Sequence, residues 1–181
     1  MKHLSPGIII VDMVNDFVSG KFGSEQKKSL ASKVRETLLQ IPERIPLIFT
    51  QDSHIKTDPE FKVWGEHCIL GEWGSEICPE LSGFRGYRLR KRHYDAFFET
   101  DLDGYIRAMG IDHLYIFGIS TDICVLHTAS GAFHRYIPFS IPQDLCASID
   151  AELHGDAIDF IKRNYGARII DSSVMLDEVA L

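Results

Sequence analysis

Short apolar runs alternate with longer amphipathic stretches along the chain. Residues 7–11 form a continuous aliphatic run, which suits a strand covered on both faces. Residues 24–40 then place Leu30, Val34 and Leu38 on one stripe of a helix. This alternation predicts βα units around a mostly parallel, doubly wound sheet in a three-layer α/β/α architecture.

The same pattern continues to the end of the chain. We predict further strands at residues 46–50, 87–90, 114–118, 137–141 and 168–170, and helices at residues 101–109, 122–135 and 150–164. Thr100 fits an N-cap, and Gly110 and Gly166 suit the left-handed position that ends a helix. The irregular stretch after the second strand is unusually long, and loops of that length in a compact domain tend to be functional. No repeat or linker is visible, which predicts one domain over residues 1–181.

Composition narrows the classes of function. The chain has 181 residues, 45% of them hydrophobic, which is enough for one buried core. Its net charge of -7 argues against a nucleic-acid-binding surface. No apolar run approaches the roughly 20 residues that span a bilayer, and no signal-peptide pattern is visible, so we expect a cytoplasmic protein that does not bind membranes. The four cysteines lack a Cys-x-x-Cys spacing, which disfavours a zinc knuckle or a disulfide framework.

Residues with chemical potential follow several of the predicted strands. Asp12 follows the first strand, Asp52 and His54 follow the second, Lys91 follows the third, and Cys124 comes just after the strand at residues 114–118. Ligands of open α/β sheets bind outside the carboxyl ends of the strands. We therefore expect these side chains to converge on one crevice.

Cys124 is the candidate nucleophile of this group. We expect it in the first turn of a helix, where the helix dipole, free backbone N–H groups and a nearby lysine would lower the pKa of the thiol. Taken singly, each residue has a plainer interpretation. Cys124 could be a small buried apolar residue, Asp12 a helix cap or turn residue, and Lys91 a solvated surface charge.

Three segments carry a resemblance to a known family: IIVDMVNDF at residues 9–17, KRHYDAF at 91–97 and GISTDICV at 118–125. Together they resemble the isochorismatase-like cysteine hydrolases, and more narrowly the nicotinamidase branch. The resemblance implies the fold of that family and a catalytic triad of Asp12, Lys91 and Cys124. It also implies a cis peptide bond between Ile119 and Ser120, with backbone N–H groups facing the substrate carbonyl.

A second group of residues is suited to a divalent metal. Asp52, His54 and His67 offer one carboxylate and two imidazoles, although Asp-x-His alone is a weak motif with a polar loop edge as its plainer interpretation. By the resemblance, these residues hold a metal that binds the pyridine nitrogen of nicotinamide. Zinc is the expected ion, with iron or manganese as alternatives. The resemblance also assigns three aromatic residues to the walls of the substrate pocket, namely Phe17, Trp64 and Tyr94.

The implied activity is hydrolysis of the C–N bond of a small amide through a thioester, with nicotinamide as the first candidate substrate. An N-carbamoylsarcosine or related ureido amidohydrolase is the alternative, and a metal- or ligand-binding protein without catalysis is a third interpretation. Val14 and Gly131 depart from the family pattern, which has glutamine and an acidic residue at these places. Exposed apolar residues such as Phe133 suggest a homo-oligomer. The other cysteines are expected to be structural thiols.

Overall fold

A six-stranded, fully parallel sheet forms the centre of the protein. The computed structural model describes residues 5–181, so the first four residues, where the sequence shows no targeting pattern, lie outside the described part. The strands are β1 (Pro6–Val11), β2 (Leu47–Asp52), β3 (Tyr87–Lys91), β4 (His113–Gly118), β5 (Phe139–Pro142) and β6 (Arg168–Ile170). All six predicted strands are present, and the predicted α/β fold class is confirmed.

The strand order is β3-β2-β1-β4-β5-β6, which makes the sheet doubly wound. Every residue of β4 is buried, as is every residue of β1 after Pro6, so both faces of the central strands are covered. The chain reverses its direction of winding between β1 and β4, which pair along their whole length from Pro6 with His113 to Val11 with Gly118. The carboxyl ends of these two strands therefore form the crevice where such folds bind ligands.

Eight α-helices connect the described strands or follow them. They are α1 (Asn15–Val18), α2 (Glu25–Leu38), α3 (Phe61–Trp64), α4 (Pro79–Ser82), α5 (Leu102–Ala108), α6 (Leu126–His134), α7 (Ala151–Tyr165) and α8 (Ser172–Ala180). The predicted stripe of α2 is buried at Leu30, Val34 and Leu38. None of the helices within residues 5–181 combines the length and the apolar character needed to cross a membrane.

Local signals explain where several helices begin and end. The Ser24 hydroxyl caps α2 by accepting the backbone N–H of Lys27 at 3.2 Å. Gly166 ends α7 with a φ of +64°, which an L side chain rarely adopts. Helix α5 begins at Leu102, so its N-cap is Asp101 and not the predicted Thr100, although the Thr100 hydroxyl accepts the backbone N–H of Leu102 at 3.3 Å.

Three features differ from the sequence-based expectation. The segment between β2 and β3 is not structureless, since it contains the short helices α3 and α4. Helix α8 was not predicted, because its nine residues carry only a weak apolar stripe. The helix after β4 does not start as an α-helix. It opens with a π-helical turn over Thr121–Val125, and this turn contains Cys124.

Candidate active site

Asp12, Lys91 and Cys124 meet at the carboxyl edge of the sheet. The Nζ of Lys91 lies 2.7 Å from Oδ2 of Asp12 and 3.7 Å from Sγ of Cys124. Asp12 is fully buried, Lys91 is 2% exposed and Cys124 is 4% exposed. Lys91 is therefore a buried cation between a carboxylate and a thiol, and not the solvated surface charge that its basic neighbours in the sequence suggest. The three side chains are close enough to exchange a proton and to share its charge.

Each of these side chains is fixed by contacts of its own. Asp12 stands just past β1 with a φ of +47°, an unusual conformation for a residue other than glycine. The Thr50 hydroxyl on neighbouring β2 donates to Oδ1 of Asp12 at 2.6 Å and accepts the Asp12 backbone N–H at 3.0 Å. The ammonium of Lys91 donates to the carbonyl of His93 at 2.9 Å. Strand pairing and these hydrogen bonds therefore hold the carboxylate and the ammonium in one orientation.

The environment of the thiol contains groups that oppose the expected lowering of its pKa. Burial raises the pKa of Cys124 well above its ordinary value, and Asp12 and Asp52 raise it further, while Lys91 opposes them. Burial also raises the pKa of Asp12, against the effect of Lys91. Burial would lower the pKa of Lys91, but the surrounding anionic groups outweigh it and keep the amine protonated. Burial and the two carboxylates thus favour the neutral thiol, whereas the ammonium of Lys91 favours the thiolate.

The backbone before the nucleophile contributes a further polar group. The peptide bond between Ile119 and Ser120 is cis. Ser120 is the N-cap of the π-helical turn, which is closed by a hydrogen bond of 3.0 Å from the N–H of Val125 to the carbonyl of Ser120. Within residues 5–181, no protein group accepts the N–H of Ser120, and Ser120 lines the same cavity as Cys124. This N–H is therefore free to bind an anionic oxygen next to the sulfur.

Beside the triad lies a cluster of four potential metal ligands. Asp52, His54, Glu60 and His67 each offer one ligand atom, and these atoms all lie within 4.8 Å of one another. Nε2 of His54 is 3.0 Å from Oδ2 of Asp52, and Nε2 of His67 is 3.5 Å from the same oxygen. The structure thus brings together the three residues predicted from sequence. Glu60, in the loop before α3, was missed because it belongs to no recognisable ligand spacing.

Groups behind the two histidines orient their rings. Nδ1 of His54 lies 3.0 Å from Oδ2 of Asp58, and Nδ1 of His67 lies 2.8 Å from the carbonyl of Gly65. When each Nδ1 carries its proton, each Nε2 lone pair faces the cluster. Asp58 is itself held by the guanidinium of Arg92. Carboxylates and carbonyls in such positions fix the tautomer of metal-binding histidines.

The donor set fits a borderline divalent cation. Two imidazoles and two carboxylates match the ligands that zinc, iron(II) or manganese(II) take in proteins. Burial opposes protonation of His67, but Asp52 and Glu60 outweigh it and raise the pKa of His67 to about 9. The cluster thus has a strong affinity for positive charge, and a metal ion would compete with that proton.

Asp52 links the cluster to the triad. Its Oδ2 faces the histidines, and its Oδ1 lies 3.5 Å from Nζ of Lys91. Burial opposes ionisation of Asp52, but Lys91 and the histidines outweigh it and lower its pKa. A change of charge in the cluster therefore acts on the triad through this one carboxylate.

An apolar cavity joins the cluster to the nucleophile. The predicted wall residues Phe17, Trp64 and Tyr94 line it, and Trp64 donates to the Tyr94 hydroxyl at 3.0 Å. The cavity volume is about 50 Å³, which limits it to a small ligand. Four further lining residues were not predicted: Phe22, Lys27, Ile123 and Ile149.

The glycine that departs from the family pattern has a packing role. Gly131 on α6 faces the loop after β3, and a Cβ atom there would approach Oδ1 of Asp95 closer than van der Waals contact allows. Asp95 already supplies a half-buried carboxylate at this place, and its Oδ1 accepts the backbone N–H of Phe97 at 2.8 Å. An acidic side chain at residue 131 would be incompatible with this packing.

Comparison with known proteins places these features in context. The chain is similar to N-carbamoylsarcosine amidase from Thermoplasma acidophilum, with 33% identity and a TM-score of 0.86 over 93% of this chain and 97% of that one. It is similar to pyrazinamidase/nicotinamidase from Streptococcus mutans UA159, with 31% identity and a TM-score of 0.79 over 92% of this chain and 100% of that one. It is also 28% identical to nicotinamidase/pyrazinamidase of Mycobacterium tuberculosis, over 80% of this chain and 88% of the relative.

The model of the isochorismatase domain matches this chain from residue 6 to residue 174, a span that includes all six described strands and every residue of the candidate site. The protein therefore belongs to the isochorismatase family of hydrolases.

Proposed function

We propose that this protein is a cysteine amidohydrolase that cleaves the C–N bond of a small carboxamide to an acid and ammonia. The observation that carries the proposal is the placement of Lys91, 2.7 Å from the carboxylate of Asp12 and 3.7 Å from the sulfur of Cys124, which lines an apolar cavity. Such a set provides a base, a nucleophile and a fixed positive charge. The relatives named above hydrolyse amides or ureides by their names, which supports the same class of bond.

In the first half of the reaction, Asp12 accepts the thiol proton as the sulfur of Cys124 attacks the carbonyl carbon of the amide. The carbonyl electrons move to oxygen, and the backbone N–H groups of Ser120 and Cys124 bind the resulting oxyanion. When the tetrahedral intermediate collapses, the protonated Asp12 gives its proton to the leaving nitrogen. Ammonia departs, and a thioester remains on Cys124.

In the second half, a water molecule attacks the thioester and Asp12 accepts its proton. Collapse of this second intermediate releases the carboxylic acid and the thiolate, which regains the proton from Asp12. Lys91 stays protonated throughout and stabilises the anionic charge as it moves between the carboxylate and the sulfur. The raised pKa of Cys124 suits this cycle, because a thiol with a raised pKa keeps its proton until Asp12 accepts it during attack on the substrate.

The proposal includes a metal ion held by Asp52, His54 and His67, with Glu60 as an additional ligand. Zinc fits these donors best, and iron or manganese are the alternatives. When bound, the ion would act as a Lewis acid that holds a ring nitrogen of the substrate. Asp52, Glu60 and His67 of the cluster line the same cavity as Cys124, so a pyridine ring held at the metal would present its amide to the nucleophile.

Nicotinamide is accordingly our first candidate substrate, with nicotinate as the product. The metal cluster, the aromatic walls and the similarity to nicotinamidases support it. Hydrolysis of N-carbamoylsarcosine or a related ureide is the second candidate, because the similarity to an N-carbamoylsarcosine amidase extends over 93% of the chain at 33% identity. Both reactions use the same nucleophile and release ammonia.

Two broader expectations belong to the proposal. The four cysteines are free thiols, which favours a reducing compartment such as the cytoplasm. Phe133 on α6 packs against Tyr165 at a centroid distance of 5.2 Å, yet 41% of its side chain stays exposed. This exposed apolar surface is suited to self-association.

Ammonia release from a panel of nicotinamide, pyrazinamide and N-carbamoylsarcosine tests the activity and ranks the substrates. The Cys124→Ala variant should be inactive on the whole panel because it lacks the nucleophile. Cys78→Ala is the matched control, since Cys78 is fully buried in the core away from the cavity. Unchanged ammonia release by Cys124→Ala would refute the mechanism.

A further inference from the structure

Lys27 is a buried cation beside the substrate cavity that the mechanism does not use. It occupies the first turn of α2, is only 3% exposed and lines the cavity together with Phe22 and Cys124. Among the twelve lining residues it is the one lysine or arginine. Lysine side chains are almost never this buried without a partner for the charge.

The charge of Lys27 lacks an ion pair in the described part of the chain. Its ammonium donates one hydrogen bond, to the carbonyl of Phe22 at 2.8 Å, and residues 5–181 supply no acceptor for its two other protons. Burial lowers its pKa, and Asp122 is the one charged group that opposes this, without forming a salt bridge to it. The ammonium therefore has two donors and a positive charge that a ligand could satisfy.

The acidic groups of the cavity wall belong to the metal cluster. Asp52 and Glu60 line the cavity there, next to His67, and in the proposed enzyme these side chains are committed to the metal ion. Lys27 is therefore the one lysine or arginine of the wall left to meet a carboxylate on a substrate.

We propose that Lys27 is a specificity-determining residue that binds a carboxylate carried by the substrate. This inference rests on the amide hydrolysis proposed above and adds a class of substrate to it: small amides or ureides with an acidic group remote from the scissile bond. A neutral amide such as nicotinamide leaves the ammonium without an anionic partner, so an acid-bearing substrate gains an interaction that nicotinamide does not make.

Binding to the Cys124→Ala variant tests this without turnover. The two ligands are N-carbamoylsarcosine and its methyl ester, which differ in the negative charge, and calorimetry gives a dissociation constant for each. We expect the acid to bind about 10-fold or more tightly than the ester, a difference of about 1.4 kcal/mol. In Cys124→Ala/Lys27→Gln, which keeps a side-chain donor but removes the charge, the ratio should fall below about 2-fold, and in Cys124→Ala/Lys27→Arg the preference for the acid should persist.

Lys28→Gln in the same background is the matched control. It removes the same charge one residue away, from a side chain that is 48% exposed and paired with Glu25, so the ratio should stay that of Cys124→Ala. Equal affinity for acid and ester, no measurable binding of the acid, or a preference that survives Lys27→Gln would each overturn the assignment. These outcomes are separate from failure of the proposed function, which would appear as absence of ammonia release by the wild-type protein.

Discussion

Thr50→Val isolates the contact that positions the proposed base. The substitution keeps the shape of the side chain but removes the hydroxyl, which donates to Oδ1 of Asp12 at 2.6 Å and accepts the Asp12 backbone N–H at 3.0 Å. Both residues are buried, so water cannot readily replace the lost partner. Because both side-chain hydrogen bonds of Thr50 within the described residues go to Asp12, the change acts on the triad through this residue.

The size of the effect follows from the kind of hydrogen bond that is lost. A hydrogen bond to a charged group contributes about 1.5–3 kcal/mol, which corresponds to a fall in kcat/KM of about 10-fold to 150-fold. The pH profile should also move. Burial raises the pKa of Asp12, and the Thr50 hydrogen bond is one of the contacts that oppose this, so its loss raises the pKa further. Since the base must be ionised to accept the thiol proton, the acidic limb of the kcat/KM profile should shift to higher pH.

The assay is ammonia release as a function of pH, with the best substrate of the panel. Thr37→Val serves as the control, because Thr37 is also buried but its hydroxyl donates to the carbonyl of Lys33 within α2 and not to a triad residue. Its profile should match the wild type. A Thr50→Val enzyme with unchanged kcat/KM and an unchanged acidic limb would show that Asp12 does not act as the base.

Three further predictions concern other parts of the site. Lys91→Met leaves buried carboxylates without their cation, so the free energy of unfolding should fall by about 3–5 kcal/mol in denaturant titrations at neutral pH, whereas undiminished stability would mean that the pair is not formed. Asp58→Asn weakens the hydrogen bond that orients His54, and the dissociation constant for zinc in a chelator competition should rise about 10-fold to 100-fold; equal affinity would argue against a metal at the cluster. Gly131→Ala forces a Cβ atom against Asp95, which should reduce stability by about 1–3 kcal/mol, and a melting temperature equal to the wild type would show that the loop yields freely.

The meeting of the triad residues could be predicted because the sequence marks the ends of strands. Asp12, Lys91 and Cys124 each stand at or just beyond the carboxyl end of an apolar or strand-like run, and the topology of a parallel sheet brings those ends to one edge. The strand β3 was the least certain of these runs because of its charges. As the edge strand of the sheet it tolerates them, and its last residue is the buried Lys91.

Other residues of the site could not be predicted from the sequence. Glu60 and Phe22 line the cavity from loops, and Lys27 lines it from a helix. None of the three follows a strand or belongs to a recognisable ligand spacing, so neither pattern predicted them. Lys27 lies on the buried stripe of α2, three residues before Leu30 and seven before Val34, but a lysine at the start of a helix is ordinarily interpreted as a solvated charge. The π-helical turn is a change in backbone hydrogen bonding that leaves the pattern of apolar residues intact.

The protonation state of Cys124 also lay beyond the sequence. A helix terminus and a lysine both lower the pKa of a thiol, and the sequence shows both. Burial and two nearby carboxylates raise it, and these depend on how the chain folds around the sulfur. The balance between them can be judged only when the distances and the burial are known.

Mass spectrometry of the enzyme quenched in acid during turnover tests the central claim most directly. With nicotinamide as substrate, we predict a nicotinoyl group attached as a thioester to the peptide that contains Cys124, and no such adduct in Cys124→Ala. An acyl adduct on any other side chain, or sustained turnover by Cys124→Ala, would contradict the account.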